Sequence, residues 1–376
     1  MVQPFNKEEI IRYQRNIALP QVRLEGQQRL KKSSVLIVGL GGLGVPVAQY
    51  LAAAGVGRLG LVDFDCVDIS NLQRQVLYGT SMAGRRKVEC AKERLHDLNP
   101  HITIDTFPNA LTPDNALDII NSYDVVADAA DNFAARYLIN DACVLANRPN
   151  VSGSVYGFEG QLSVFNYDGG PCYRCIYPIP PEPASIPSCA ESGVLGVLPG
   201  IIGALQGAEI LKILLHIGCV ASGRVTIYDV LSTDITHFKT GRNPSCAVCG
   251  DNPSITALDG KAYGDSASDC SSHGISPALL RELFNTIPQL TLIDVREPFE
   301  YEICHIKGAR LIPLNHLERQ IIQLDKAIPV IVYCKTGLRG RKAVDILLKH
   351  NFHSVKNLTG GIIRWIEHID PSLPLY

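Results

Sequence analysis

Two cysteine pairs, Cys172-Tyr173-Arg174-Cys175 and Cys246-Ala247-Val248-Cys249, carry a specific chemical signal. A C-x-x-C knuckle presents two thiolates from one tight turn, and two knuckles complete a tetrahedral Zn²⁺ site. The pairs lie far apart in the chain, so the metal would staple segments that only the fold can bring together. Four thiolates leave no coordination position for water, which makes the expected role structural. A redox C-x-x-C needs one pair in a thioredoxin-like context, so the doubled motif favours zinc.

Cys334 invites different chemistry. It follows the apolar run Pro329 to Tyr333 and opens Cys334-Lys335-Thr336-Gly337-Leu338-Arg339-Gly340. A loop between a strand and a helix N-terminus turns successive main-chain N–H groups inward, where they stabilise a thiolate or persulfide. Lys335 and Arg339 add positive potential. Cys189 lies in Pro187-Ser188-Cys189-Ala190-Glu191-Ser192-Gly193, on a polar stretch, as a second candidate nucleophile; the alternative for it is a small buried hydrophobe. Cys66, Cys90, Cys143, Cys219, Cys270 and Cys304 read as packing or incidental residues.

A third constellation suits a nucleotide. Gly39-Leu40-Gly41-Gly42-Leu43-Gly44 follows a strand and opens a helix, so phosphates can rest on the helix N-terminus. Asp63 and Asp65 end the next strand, where an acidic residue holds ribose hydroxyls. On this loop alone a nicotinamide-dependent oxidoreductase would fit. The residues that follow suit adenylation better: Asn71, Gln73 and Arg74 sit in one tight segment, Lys87 opens a helix, and Asp131-Asn132 follows a further strand. In-line attack on an α-phosphate needs cations on the phosphate oxygens, which Arg74 and Lys87 can supply, and a Mg²⁺ ion, which Asp131 can anchor.

The elements that must position these residues are legible in outline. Strand-like runs at Ser34–Val38, Leu59–Phe64, Ile102–Phe107 and Asp124–Asp128 alternate with helical stretches, the pattern of a doubly wound α/β Rossmann-like sheet. Five prolines between Pro178 and Pro187 predict an extended crossover. The apolar stretch Val194–Ile217 is broken by Pro199, Gln206, Glu209 and Lys212, which predicts a buried core helix and no membrane span. Residues 251–274 are rich in Asp, Ser and Gly and read as a linker between a first domain over 1–250 and a smaller α/β domain over 275–376. Ser276-Pro277 restarts a helix, and strands are expected at Leu290–Val295 and Val330–Tyr333. A net charge of -2 without a basic run predicts no nucleic-acid partner. Met1 to Ile10 has no apolar core of a secretory signal, so a cytoplasmic location is expected.

These residues carry a resemblance. The stretch Arg12 to Gly250 resembles the MoeB/ThiF family of adenylyltransferases, relatives of the ubiquitin-activating enzymes, in Arg12-Tyr13-Gln14-Arg15, the glycine loop, Asp63-Phe64-Asp65, Ser70 to Gln75 and Ala130-Asp131-Asn132. The resemblance implies a homodimer that binds ATP and Mg²⁺, in which Arg15 reaches the partner subunit's nucleotide site. It implies as substrate the Gly-Gly C terminus of a ubiquitin-like sulfur carrier of the MoaD or ThiS type. Ile275 to Tyr376 resembles a single-domain rhodanese in Ile293 to Glu297, His305 to Ala309, the Cys334 loop and Gly360 to Trp365, with Gly340 where such loops often carry a serine. Related phosphatases have a loop one residue longer, so the short loop here favours a sulfur-sized guest.

The expected pathway joins both domains: ATP adenylates the carrier, and a persulfide on Cys334, loaded by a cysteine desulfurase or thiosulfate, attacks the activated carbonyl. Cys189 or an external reductant then cleaves the acyl disulfide to leave a thiocarboxylate. A sulfurtransferase whose first domain is only a docking scaffold is the competing expectation, beside the oxidoreductase.

Overall fold

The computed structural model describes residues 5–181, 193–260, 263, 273–287 and 289–376. The chain forms two compact units, whose division in the C-terminal half falls between residues 264 and 265.

The first unit is built on an eight-stranded sheet. Its strands are β1 (Ser34–Val38), β2 (Arg58–Val62), β3 (Thr103–Phe107), β4 (Val125–Asp128), β5 (Asn150–Tyr156), β6 (Glu159–Phe165), β7 (Arg224–Asp229) and β8 (Ile235–Lys239), in the order β3-β2-β1-β4-β5-β6-β7-β8. Strands β1 to β5 pair in parallel, and β1 and β4 are apolar and buried almost throughout, as strands covered on both faces must be. Val38 aligns with Val62 on one side and with Asp128 on the other. The chain therefore leaves β1 first toward β2 and later toward β4, and the crevice at their carboxyl ends is where such sheets bind ligands. Strands β6 to β8 continue the sheet antiparallel, an extension that the sequence pattern does not announce. All five residues of β8 are exposed, so no apolar alternation marks it.

Helices seal the sheet. Lys7–Ile17 opens on a reciprocal capping box between Asn6 and Glu9. The apolar stretch forms the helix Val197–Leu215, in which Gln206 is wholly buried and donates from Nε2 to the carbonyls of Asp128 and Val151. This helix is long and apolar enough to cross a membrane by length and composition alone; 56% of it is buried inside the protein. The segment expected as a linker starts as part of the first unit: Ile255 packs on the cysteine cluster, and Leu258 and Tyr263 join the core beneath Tyr137 and Tyr173.

The second unit has five parallel strands, β9 (Gly274–Ile275), β10 (Thr291–Asp294), β11 (Arg310–Leu311), β12 (Val330–Tyr333) and β13 (Val355–Leu358), in the order β11-β10-β12-β13-β9. Ser276 caps the helix Pro277–Thr286 by accepting from the Leu279 N–H, with proline at the first helical position. Strand β12 is fully buried and leads straight into Cys334 and the helix Leu338–Lys349.

Candidate functional site

The glycine loop is shaped by two contacts that admit no side chain. Gly39 has φ +94°, and a Cβ on it would lie 2.7 Å from the Ala129 carbonyl oxygen; one on Gly44 would lie 1.8 Å from the Gly39 carbonyl oxygen. The loop is thereby pressed between the ends of β1 and β4. Its Leu40 N–H donates to Asp63 Oδ2 at 2.7 Å, while Asp63 Oδ1 takes the Asp65 N–H at 2.8 Å. Asp63 is therefore spent on bracing the loop, and its neighbour Asp65, half exposed, is the carboxylate left at the surface. Burial pushes the Asp63 carboxyl up, against the pull of Lys87 and of these two N–H donors.

Lys87 begins the helix Lys87–Leu98 and is nearly buried, with Nζ 2.8 Å from Asp65 Oδ2 and 3.9 Å from Asp63 Oδ2. Arg74 is half-buried and turns Nη1 to the Ser70 carbonyl at 3.1 Å. Asn71 closes the 3₁₀ turn Ile69–Asn71, and Gln73 lies so close to Gly196 that a Cβ there would sit 2.3 Å from the Gln73 carbonyl oxygen. Gly42 meets Pro199 in the same way, at 3.0 Å. The chain that emerges from the crossover is thus held against both the glycine loop and the Asn71–Arg74 segment. Cys189 itself lies outside the described residues. Arg15 is exposed in the last turn of Lys7–Ile17 and, among the described residues, has no ion pair.

After β4, Asp131 is exposed, and its Oδ1 receives a single long 3.4 Å contact from Asn132 Nδ2. Asn132 caps the helix Phe133–Leu145 by accepting the Ala135 N–H at 2.8 Å. Beneath them lies a buried network that sequence reasoning missed. Arg136 donates to the carbonyls of Ala130 and Gly153 and to Ser152 Oγ, and Ser152 Oγ donates to the fully buried Asp128. The one signal for it was an arginine among the apolar residues of the first turns of that helix.

The four knuckle cysteines converge. Their sulfurs all lie within 4.8 Å of one another, with Cys172–Cys246 at 3.5 Å and Cys175–Cys249 at 3.3 Å. Burial, with the three sulfurs around it, pushes the Cys172 thiol up, and Cys249 is pushed up to about 12. Cys246 is held below the usual thiol range because the Cys249 and Val248 N–H groups outweigh its burial. Such a group releases all its protons to solvent only when a cation takes up the thiolate charge, and four sulfurs at this spacing can hold a metal ion. The first knuckle is tied to the helix after Asp131: Arg174 makes a two-pronged bond to the buried Asp141, which also accepts from Tyr263 Oη, and the Tyr173 N–H donates to Asn140.

In the second unit, Cys334 is fully buried and Gly337 N–H donates to its Sγ at 3.1 Å. Burial pushes the thiol up, while the N–H groups of Gly340, Gly337 and Thr336, and the Arg339 charge, pull the other way. The expected cradle of N–H groups is present, but in this closed arrangement burial outweighs it and the thiol keeps its proton. Arg339 is gripped by Glu300 through two hydrogen bonds, 2.6 and 2.9 Å, and Lys335 Nζ lies 4.6 Å from the Tyr376 ring centre. Tyr376 Oη bonds in turn to Arg296 and Glu300. Neither Glu300 nor Tyr376 carries a sequence signal, because their proximity to the loop exists only in the fold. Leu338 is exposed where the helix begins, and Gly337 has φ +101°.

Residues 13–248 match the ThiF family. The chain belongs to the ThiF family. Residues 276–368 of this ThiF-family protein match the rhodanese-like domain. The chain is 44% identical to adenylyltransferase and sulfurtransferase MOCS3 of Sus scrofa, over 99% of this chain and 88% of the relative. It is 40% identical to the probable adenylyltransferase/sulfurtransferase MoeZ of Mycobacterium tuberculosis, over 99% of this chain and 96% of the relative. Among solved structures, E. coli MccB with MccA-N7isoASN superposes with a TM-score of 0.56 at 23% identity, covering 64% of this chain and 74% of that one, a likeness of fold.

Proposed function

We propose that this enzyme adenylates the C-terminal glycine of a ubiquitin-like sulfur carrier with ATP and replaces the AMP with sulfur borne on Cys334. The observation that carries this reading is the 44% identity to the adenylyltransferase and sulfurtransferase MOCS3 of Sus scrofa over both units.

In the first unit, the main-chain N–H groups of Gly41, Gly42 and Gly44 hold phosphate oxygens at the helix N-terminus, while Gly39, whose N–H is donated to the Val62 carbonyl, makes the turn; Asp65, braced through Asp63, takes the ribose. Asn71, Gln73 and Asn132 line the nucleotide site. Arg74 and Lys87 neutralise the phosphates, Lys87 exchanging its contact with Asp65 for the ligand. Arg15 serves the partner subunit of a homodimer. The Asp131 carboxylate, exposed and lightly engaged among the described residues, suits a cation, and a Mg²⁺ ion there would supply charge neutralisation to the departing pyrophosphate. The carrier carboxylate attacks the α-phosphorus as the bond to pyrophosphate breaks. The product acyl adenylate is a far better electrophile than the free carboxylate.

Cys334, loaded with sulfane sulfur by a cysteine desulfurase or thiosulfate, attacks the acyl carbon through its terminal sulfur; the carbon–sulfur bond forms and the bond to AMP breaks. A second thiol, Cys189 or an external one, attacks Cys334 Sγ and releases the carrier thiocarboxylate. The disulfide left behind is reset by an external dithiol. The four knuckle cysteines hold Zn²⁺ as a closed structural site, and the location is cytoplasmic.

The full-length enzyme, offered proteins ending in Gly-Gly, should catalyse carrier-dependent ATP–pyrophosphate exchange and add sulfur to the carrier terminus by mass spectrometry. Absence of exchange with every such protein, together with a Cys334 that never accepts sulfane sulfur, overturns the reading. Bound NAD without pyrophosphate release would favour the oxidoreductase instead.

A further inference from the structure

The sulfur loop is held from behind by one side chain of a neighbouring strand. Asn357, on β13, is 4% exposed, and its Nδ2 donates to the Gly337 carbonyl at 3.0 Å. Its Oδ1 is buried without a partner among the described residues. A Cβ built on Gly340 would lie 2.0 Å from that Oδ1 and 2.9 Å from Asn357 Cγ. The Asn357 amide therefore fills the volume into which any side chain at position 340 would project.

We propose that Asn357 is the positioning residue of the sulfur-transfer loop, and that Gly340 is glycine in order to admit it. The bond to the Gly337 carbonyl, which also accepts the Arg341 N–H, holds the peptide that follows a residue whose own N–H points at Cys334 Sγ. Gly340, against the same amide, supplies another of the N–H groups on that sulfur. One wedge thus packs against both of these residues, whose N–H groups face the sulfur. The unpartnered Oδ1 supports this reading: a buried amide oxygen left without a donor is unfavourable in a strand core, so the partnered Nδ2 half is what makes asparagine useful there. A serine at 340 would displace the wedge rather than add a donor.

The inference rests on Cys334 being the sulfur-bearing thiol, but its test does not. In the full-length protein, alkylation of Cys334 by iodoacetamide, followed on its own peptide by mass spectrometry across pH, reads the loop without any sulfur substrate. The surrounding charges, Lys335 and Arg339 on the loop, Glu300, Asp294, Arg296 and Tyr376, stay unchanged. Asn357→Leu is expected to move the profile about one pH unit alkaline, making alkylation near pH 7 roughly tenfold slower. Thiosulfate:cyanide turnover should lose kcat in proportion, with KM for thiosulfate little changed. Gly340→Ser, which pushes the amide aside, should behave alike, and adding Asn357→Ala to it should slow alkylation little further, because both changes remove the same bond. An unaltered profile in either folded single variant, or a double variant in which the two losses add in full, overturns the inference. Should Asn357→Leu fail to fold, the comparison of Gly340→Ser with the double variant decides. If the unaltered chain never takes up sulfane sulfur, the functional reading fails while the alkylation profiles still judge Asn357.

Discussion

Glu300 is 1% exposed and is held below its ordinary 4.5: burial pushes it up, but the two bonds from Arg339 and the Glu297 N–H prevail. A carboxylate with a depressed folded value stabilises the fold fully above its unfolded value and loses that contribution as pH falls through the folded one. The second unit should therefore weaken below pH 4.5. Glu300→Ala should flatten that acid limb and cost roughly 3 kcal/mol in urea unfolding, because Arg339 is left without its carboxylate. The opposite sign holds for Cys334, whose raised value makes alkylation climb with pH past the ordinary thiol value of 9.0. At this scale the sequence disclosed residues that follow strands, since a strand end fixes where the next side chains go. It could not disclose Glu300, Asn357 or Arg136, which act from neighbouring elements, nor that Asp63 accepts the N–H groups of Leu40 and Asp65.

Among the elements, the glycine loop and the knuckles make the clearest demands. Gly44→Ala would drive a methyl into the Gly39 carbonyl, and displacing the phosphate cradle by an ångström should lower ATP–pyrophosphate exchange about a hundredfold. The helix Phe133–Leu145 begins beside Asp131 and carries Asn140 and Asp141 to the first knuckle. With the knuckles holding Zn²⁺ as proposed, a chelator should therefore lower both the melting temperature of the first unit and its exchange activity and release one metal per chain on analysis. A loss of stability alone, with exchange intact, would show that the helix does not transmit the change. Of the parallel strands, β1, β2, β4, β10 and β12 were legible because burial on both faces writes them as apolar runs, whereas β5, β9, β11 and β13, which are polar or short, passed unread. The antiparallel strands β6 to β8 were not, since solvent on one face and turns of mixed composition dilute the pattern.

At the scale of the molecule, two units with separate cores imply separable chemistry. Cys334→Ala should abolish thiocarboxylate formation and leave carrier-dependent exchange intact, whereas Asp131→Ala should suppress exchange and leave thiosulfate:cyanide turnover intact. Exchange assays and sulfur transfer on the same preparations check both. The order of the two units was readable from motifs, but the docking of Leu258 and Tyr263 onto the first was hidden in a stretch whose composition resembles a tether. The complete burial of Cys334 has a further bearing on how such a protein could live among abundant small thiols. A sulfur atom carried on Cys334, as proposed, would be screened by the loop from scavengers that release it as hydrogen sulfide. On that reading the loop must open before the sulfur can meet the acyl carbon, which ties delivery to a change in the loop's conformation.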